Sequence, residues 1–483
     1  MTSTDTKEKC SKIVNNNRFS GTSTQLLAVF AGSLFAVSDG MTYGWTAPML
    51  PYLISENSHI KTTKEEVEWL ETTLMVGSFC GLPITIYLVD KIGRKKSLLL
   101  AAVTSLIGWT VIALANKMVY LHVARFFFGV IGNMSFVSMP MYIAEIAESK
   151  IRGFLASVVY LQMLVGFVIL YSVGPYLPFY VTPIIAGVVL IIELCIFSWM
   201  PESPYYLLFM NKYDEAKKSL QYFRPNMDIT LELKNITKAI ERQKTEKGRI
   251  QDVIMVKSNR KAIIIMAVLN GGQHIVAISV ILMNLHVILN SAGSIYMDSA
   301  HAGILFAVIM LISAKIASLQ VDKYGRKALL LLSTVLTAFC LLALAVYFNL
   351  KQLNYDVAKV SWIPIVSVMI YAATFKIGLG IVPIVITAEI FPAKIKALGM
   401  TIADAFYVIG AIISIQLYTW LEYSYGMHAP FYVFTIGSFL IAIFIVKCIP
   451  ETKGKTLEEI QFLLKGEDYL TMTKSDPLLN GTP

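Results

Sequence analysis

Twelve apolar runs, each long enough to cross a bilayer as a helix, constrain this chain more than any other feature. They fall near residues 26–54, 67–89, 97–116, 118–143, 153–174 and 178–200, and then, after a polar break, near 261–290, 300–321, 327–348, 361–391, 397–420 and 429–449. With 56% hydrophobic and 15% charged residues among 483, the chain lies outside the range of a soluble globular domain. In hydrocarbon every backbone N–H and C=O must find its partner inside the protein, so runs of this length fold as helices. The expected fold class is an all-α membrane protein with twelve transmembrane helices.

The two groups of six are related. Val89-Asp90-Lys91-Ile92-Gly93-Arg94-Lys95 returns as Val321-Asp322-Lys323-Tyr324-Gly325-Arg326-Lys327, Glu145 with Arg152 returns as Glu389 with Lys396, and Pro201-Glu202-Ser203 returns as Pro450-Glu451-Thr452. Asp90 and Asp322, Glu145 and Glu389, and Pro201 and Pro450 stand 232, 244 and 249 positions apart. Three signatures repeated in one order indicate a duplicated unit. The expected organisation is an N-terminal tail (1–25), a six-helix bundle (26–200), a helical linker (201–260), a second, pseudo-symmetric six-helix bundle (261–449) and a C-terminal tail (450–483).

Basic residues orient the spans. Lys91, Arg94, Lys95, Lys96, Lys150, Arg152, Lys323, Arg326, Lys327, Lys394 and Lys396 crowd one set of loops, against Lys61, Lys64, Lys117, Lys351 and Lys359 on the other. Both termini and the linker are therefore expected in the cytoplasm, and the net charge of +9 reports topology rather than a nucleic-acid partner. In the linker Ala216, Leu220, Tyr222, Leu231, Leu233, Ile236 and Ile240 recur at helical spacing among Lys and Glu, which predicts short surface helices. Met1–Thr24 has no apolar core or cleavage site, so no removable signal peptide is expected. Asn235 and Asn480 head sequons on the cytoplasmic side and Asn133 heads one inside a membrane helix, so none should carry glycan. Four of the five cysteines lie in or beside apolar runs, as buried small hydrophobes do. Neither metal-ligand spacing nor a nucleophile with its base is present, so neither an enzyme nor a cofactor is expected.

Two related bundles create a cavity between them that rocking exposes to alternate sides. Asp90, Arg94, Lys95, Glu145 and Arg152, with Asp322, Arg326, Lys327, Glu389 and Lys396, are read as a cytoplasmic gate. In this reading Arg94, Lys95, Arg326 and Lys327 pair with Glu145 and Glu389.

These residues resemble the sugar porters of the major facilitator superfamily, most closely the insect facilitated trehalose transporter-like branch. The resemblance runs from about residue 26 to 465. It rests on Asp90-x-x-Gly93-Arg94-Lys95, Arg125-x-x-x-Gly129, Pro140-x-Tyr142-x-x-Glu145, Arg152-Gly153, Pro201-Glu202-Ser203-Pro204, Asp322-x-x-Gly325-Arg326-Lys327, Glu389-Ile390-Phe391-Pro392 and Pro450-Glu451-Thr452-Lys453-Gly454. It implies the major facilitator fold and sugar transport across the plasma membrane, facilitative by default, with trehalose or a hexose as substrate and a monomer as the working unit.

By the same resemblance the sugar site is altered. The family's paired glutamines fall at Gln273 and His274, a following asparagine at Ser279, a later tyrosine at Asn284, the helix 5 glutamine at Tyr160 and the helix 11 Asn-Trp pair at Tyr407-Val408, whereas Phe375 keeps the family's aromatic place. Gln273, His274, Ser279, Asn284, Tyr160, Phe375 and Tyr407 are the candidate substrate contacts.

Asp39, Arg125, Lys315, Lys376 and Asp404 lie inside apolar runs, where ionisable groups face a cavity or a partner. By the resemblance Asp39 and Arg125 occupy the places of a proton-coupling pair, and a static ion pair between helices 1 and 4 is the alternative. Lys376 either pairs with Asp404 or faces the cavity and attracts an anionic organic solute. Lys315 reads as a cation snorkelling to the surface. A solute sensor built on a transporter scaffold is the reading from another class.

Overall fold

A computed structural model describes residues 22–148, 151–225, 228–245, 255–391 and 396–453, together with 455, 459–460 and 463–464. Eleven helices among the described residues are long and apolar enough to span a membrane: α1 (Thr22–Ile54), α2 (Lys64–Ile92), α3 (Arg94–Ala113), α4 (Met118–Ile146), α5 (Arg152–Val173), α10 (Lys257–Ala292), α11 (Ser299–Ala317), α12 (Arg326–Gln352), α13 (Ala358–Thr387), α14 (Leu398–Tyr425) and α15 (His428–Cys448). A shorter apolar helix, α6 (Val181–Phe197), makes the twelfth. Between α6 and α10 come α7 (Pro204–Phe209), α8 (Tyr213–Phe223) and α9 (Thr230–Thr245). No strand occurs among the described residues.

The chain forms two compact units. The first holds residues up to Trp45, His59–Thr62 and Val76–Glu246, and the second holds Thr46–Ser58, Thr63–Met75 and Lys247 onward.

In the first unit α1 lies along α5, and α3 lies against α4 and α6. Apolar attraction between helices is weak in lipid, so association depends on close contact through small residues. Gly40 and Gly166 provide it: a Cβ on Gly40 would stand 2.0 Å from the Met163 carbonyl oxygen, and one on Gly166 would stand 2.1 Å from that of Val37. The linker has a core of its own in which Leu207, Leu208, Ala216, Leu220, Ile229, Leu233 and Ile240 are buried, with Tyr205 and Ile236 packed against them. Leu231, read from its spacing as part of that face, is instead 70% exposed. Helix α9 begins only at Thr230, and the buried stripe runs through Ile229, Leu233, Ile236 and Ile240. Arg224 fastens the linker to α4 by donating to the Ile146 carbonyl at 3.0 Å while pairing with Glu232 at 3.1 Å.

In the second unit α12 packs against α13 and α15, and α10 against α14. The residues of α1 that follow Trp45 pack against the later part of α10 in the same unit.

Four of the spans are interrupted: α1 at Ser33 and Trp45, α4 at Asn133, α10 at Val276–Ala277 and α13 between Gly378 and Ile381. Counting along the membrane these are the first, fourth, seventh and tenth, the opening helix of each successive triplet. Backbone freed at membrane depth needs partners from protein. At the α4 break Asn133 donates to the Ser78 carbonyl at 2.9 Å and accepts from the Ser78 hydroxyl at 3.1 Å, which gives this sequon asparagine a structural role. At the α13 break the Leu379 N–H donates to the Ser333 hydroxyl at 3.1 Å.

Gly166→Val should destabilise the protein by about 1–3 kcal/mol or more, because its side chain overlaps backbone rather than a yielding side chain. Gly153→Ala, where nothing lies within 4 Å of the added Cβ, should leave stability unchanged. Thermal unfolding of the two purified variants in detergent, compared with the parent, checks both.

Candidate functional site

The repeated signatures build the same device in each unit. Gly93, at φ +97°, precedes α3, and Gly325, at φ +87°, precedes α12, a left-handed backbone that favours glycine. A side chain at either position would also collide with a carboxylate, Glu202 for Gly93 and Glu451 for Gly325. Those carboxylates sit on the first N–H groups of the helices, which have no partner within the helix and carry its positive dipole end. Lys95 N–H donates to both oxygens of Glu202 at 3.0 and 3.2 Å. Arg326 and Lys327 N–H donate to the two oxygens of Glu451 at 2.9 and 3.0 Å.

An ion pair from a buried arginine to a part-buried carboxylate completes each device. Arg94 meets Glu145 at 2.9 Å, and Arg326 meets Glu389 at 2.9 Å. The second oxygen of Glu145 accepts from Ser203, and that of Glu389 accepts from Thr452 at 2.6 Å. Burial alone would raise the carboxyl of Glu451, but the N–H groups of Arg326, Lys453 and Lys327 outweigh it and hold the group below the usual carboxylate range.

In the second unit the break in α10 gathers polar and aromatic groups. Ala277 takes a left-handed conformation at φ +68°, which a non-glycine residue adopts at a cost of order 1–3 kcal/mol. Nearby carbonyls are taken up from other helices: His274 accepts from the Ser414 hydroxyl at 2.7 Å and Val276 accepts from the Tyr371 hydroxyl at 2.7 Å. The His274 ring is fully buried, with Nδ1 at 2.8 Å from the Ser279 hydroxyl across the break and its centroid 4.2 Å from that of Tyr407, the two rings steeply inclined at 74°. Its Nε2 has no hydrogen-bond partner among the described residues. Gln273 is buried beside it, and Phe375 stacks on Tyr371 at 5.8 Å. Asn284 donates to Glu71 at 3.0 Å, and Gln416 donates to Thr72, both contacts formed with the start of α2 inside this unit.

In the first unit Asp39 lies over Gly132, where an added Cβ would come within 2.9 Å of Oδ1, and beside Ser135. Arg125, fully buried, donates to the Thr42 carbonyl and lies 5.9 Å from the Trp45 ring. Tyr160 is half-buried on α5.

Comparison with known proteins decides the family. The profile described as sugar (and other) transporter matches residues 24–464. The chain belongs to that family. Among this family's insect proteins, the facilitated trehalose transporter Tret1 of Bombyx mori is 30% identical over 446 residues, covering 91% of this chain and 87% of that protein. Tret1 of Apis mellifera ligustica is 28% identical, covering 90% and 87%. The inward-open xylose transporter XylE from E. coli shares the fold with a TM-score of 0.72 at 23% identity, over 92% of this chain and 99% of that one. The proton:xylose symporter XylE bound to 6-bromo-6-deoxy-D-glucose gives 0.67 at 22%, over 93% and 100%. This sugar transporter family member accordingly has the major facilitator fold expected from its sequence.

Several expected pairings differ in the structure. The side chains of Lys95 and Lys327 do not reach Glu145 or Glu389; each donates to a carbonyl at the end of a neighbouring helix, Ser198 at 2.7 Å and Val446 at 2.7 Å. Arginine's fork suits the buried carboxylate, and the lysines' backbone N–H groups serve a different one. Asp90 and Arg152 make no ion pair among the described residues, Arg152 donating instead to the Ala147 carbonyl. The side chains of Asp322 and Lys396 lie outside the described residues. Among the described residues no ion pair joins Asp39 to Arg125, which donates to a carbonyl almost a helical turn further along α1, and none joins Lys376 to Asp404. Lys376 is buried with its ammonium 5.4 Å from the Phe375 ring. Lys315 is exposed on α11.

Three carboxylates in these sites are absent from the sequence-based selection. Glu202 and Glu451 stand in recognised signatures, so their repetition was the available signal. Glu71 lies in an apolar run like the five groups singled out there, and the same rule would have found it.

Glu145→Gln should cost about 3–5 kcal/mol, since it leaves Arg94 buried with its charge unbalanced. Lys95→Ala, which removes an exposed bond to a carbonyl, should cost under about 1 kcal/mol. Unfolding midpoints of the two variants read the contrast. Glu451 adds a pH term: as a group with a depressed pKa it contributes stability that is fully present above its ordinary value of 4.5 and is lost as pH falls through the lowered one. Glu451→Gln should flatten that part of an acid unfolding profile.

Proposed function

We propose that this protein carries a sugar, with trehalose or a hexose as substrate, across the plasma membrane by alternating access without coupling to an ion gradient. It works as a monomer, with both termini and the linker in the cytoplasm. The basic ends of the helices and the linker then share the cytoplasmic side, where the Arg94–Glu145 and Arg326–Glu389 devices act as gate elements together with Asp90, Lys95, Arg152, Asp322, Lys327 and Lys396. The organisation follows the duplicated sequence, with a tail over 1–25, bundles over 26–200 and 261–449, a linker over 201–260 and a tail over 450–483.

The observation that carries this reading is the lining at the α10 break. A desolvated sugar needs a partner for each hydroxyl, and each one left unpaired costs about 1–3 kcal/mol. At the break His274 meets both Ser279 and Tyr407, with Gln273 next to it in sequence and Phe375 on the neighbouring α13, so polar atoms and ring faces are offered together. The free Nε2 of His274 is the group left to meet a hydroxyl. Asn284 and Tyr160 complete the proposed contacts, Asn284 being released from Glu71 when it serves. The relatives named as facilitated trehalose transporters support this substrate class.

A second reading is favoured by Asp39, a membrane carboxylate without an ion pair among the described residues. Such a group can take up and release a proton as its surroundings change, which would make Asp39 and Arg125 a coupling site. Lys376, buried beside the Phe375 ring, is the group that would recruit an anionic solute.

Uptake of labelled trehalose and labelled glucose into liposomes, each with and without an inward proton gradient, tests these readings. Uptake of either sugar that ignores the gradient, reduced at least tenfold by His274→Ala, is the expected result. Accumulation driven by the gradient and abolished in Asp39→Asn supports the coupled reading. If neither sugar enters while an organic anion does, and Lys376→Gln stops it, the sugar assignment is wrong.

A further inference from the structure

One carboxyl group in the first unit belongs neither to the gate devices nor to the groups proposed for transport. Glu193 stands one turn before the C-terminal end of α6 with no exposed surface, and both of its carboxylate oxygens lack a hydrogen-bond partner among the described residues. Helix α6 packs mainly against α3 and α1, with a lesser contact to α5. Between Arg94 and Ala113, α3 carries no ionisable side chain after Lys96, its polar groups there being serines, threonines and Trp109. Its inward-facing Ser105 and Trp109 are bonded to Ser38 of α1. From Thr22 to Ile54, α1 carries no Lys or Arg, and its titratable groups are Asp39, Tyr43 and Tyr52. On α5 the titratable groups are Arg152, exposed at its start, Tyr160 and Tyr171. The cation of these helices that comes to this end of α6 is Lys95, whose ammonium is held by the Ser198 carbonyl, while α4 presents Tyr142 to Phe197; neither is hydrogen-bonded to Glu193, and α6 itself carries no cation.

An ionised carboxylate in such surroundings has neither donor nor counter-charge, and burial of that kind is resolved by neutralisation. We propose that Glu193 is a proton-binding site: the structure holds it as the neutral carboxylic acid, and the packing of α6 on α1 and α3 depends on that proton. The ligand is a proton alone, and the site is separate from Asp39, which faces Gly132 and Ser135 on α4. A group neutral in the packed state and ionised when water reaches it makes this packing weaken as pH rises.

The test is infrared spectroscopy and thermal unfolding of the full chain in detergent, for the parent and Glu193→Gln. At pH 7 the parent should show a protonated-carboxyl C=O band that Glu193→Gln lacks. Between pH 7 and pH 9.5 the midpoint of the parent should fall by at least about 3 °C more than that of Glu193→Gln, which is neutral at every pH. An unchanged band in the folded variant, or parallel pH profiles, overturns the proposal. Should Glu193→Gln fail to fold, the parent is treated with dicyclohexylcarbodiimide, which adds to protonated carboxyl groups, and the adduct is mapped by mass spectrometry. Modification of Glu193 supports the site, and an unmodified Glu193 overturns it.

Discussion

A carboxylate seated on the unpartnered N–H groups at the start of a membrane helix is the interaction on which the rest of this structure depends. Glu202 does this for α3 and Glu451 for α12. Both come from the residues just after the sixth helix of their bundle, so the end of each bundle is pinned to its middle. The arginine beside each seat, Arg94 or Arg326, then reaches a second carboxylate on another helix, and a hydroxyl of Ser203 or Thr452 closes the ring. Each device joins three segments far apart in sequence. A glycine at positive φ is required because nothing larger leaves room for the acid.

The same demand for partnered backbone explains where helices are allowed to break. Interruptions in α10 and α13 each coincide with side-chain partners for the freed backbone from a neighbouring helix: Ser414 and Tyr371 for α10, Ser333 for α13. In the second unit the residues proposed to meet a solute, Gln273, His274 and Ser279, flank one of these breaks.

Much of this was legible in the sequence because the repeated residues act at helix ends, where one residue type suits one task. Gly93 and Gly325 mark a backbone turn, and Arg94 and Glu145 recur as a pair because each needs the other. What was not legible depended on which turn of a helix faces which neighbour. Asp39 and Arg125 were natural partners by charge, yet Arg125 meets the carbonyl of Thr42. Lys95 was grouped with Arg94 as a basic neighbour, although adjacent residues on a helix point about 100° apart and must serve different partners. Leu231 matched the apolar pattern of the linker but stands two residues from both Ile229 and Leu233, about 200° round the helix from the buried stripe. Glu193 shows a different limit, that of a single carboxyl in an apolar run, which carries no periodic signal and is found only by asking of every such group what balances it.

Ala277 holds a strained backbone at the break of α10. Its left-handed backbone is one that glycine adopts freely, so a single substitution would relax it, and the chain nonetheless carries alanine there. Glycine would also free the neighbouring peptides to explore other angles, and the histidine and serine on either side would lose their mutual aim. A methyl group at this position trades folding stability for a hinge with one permitted setting.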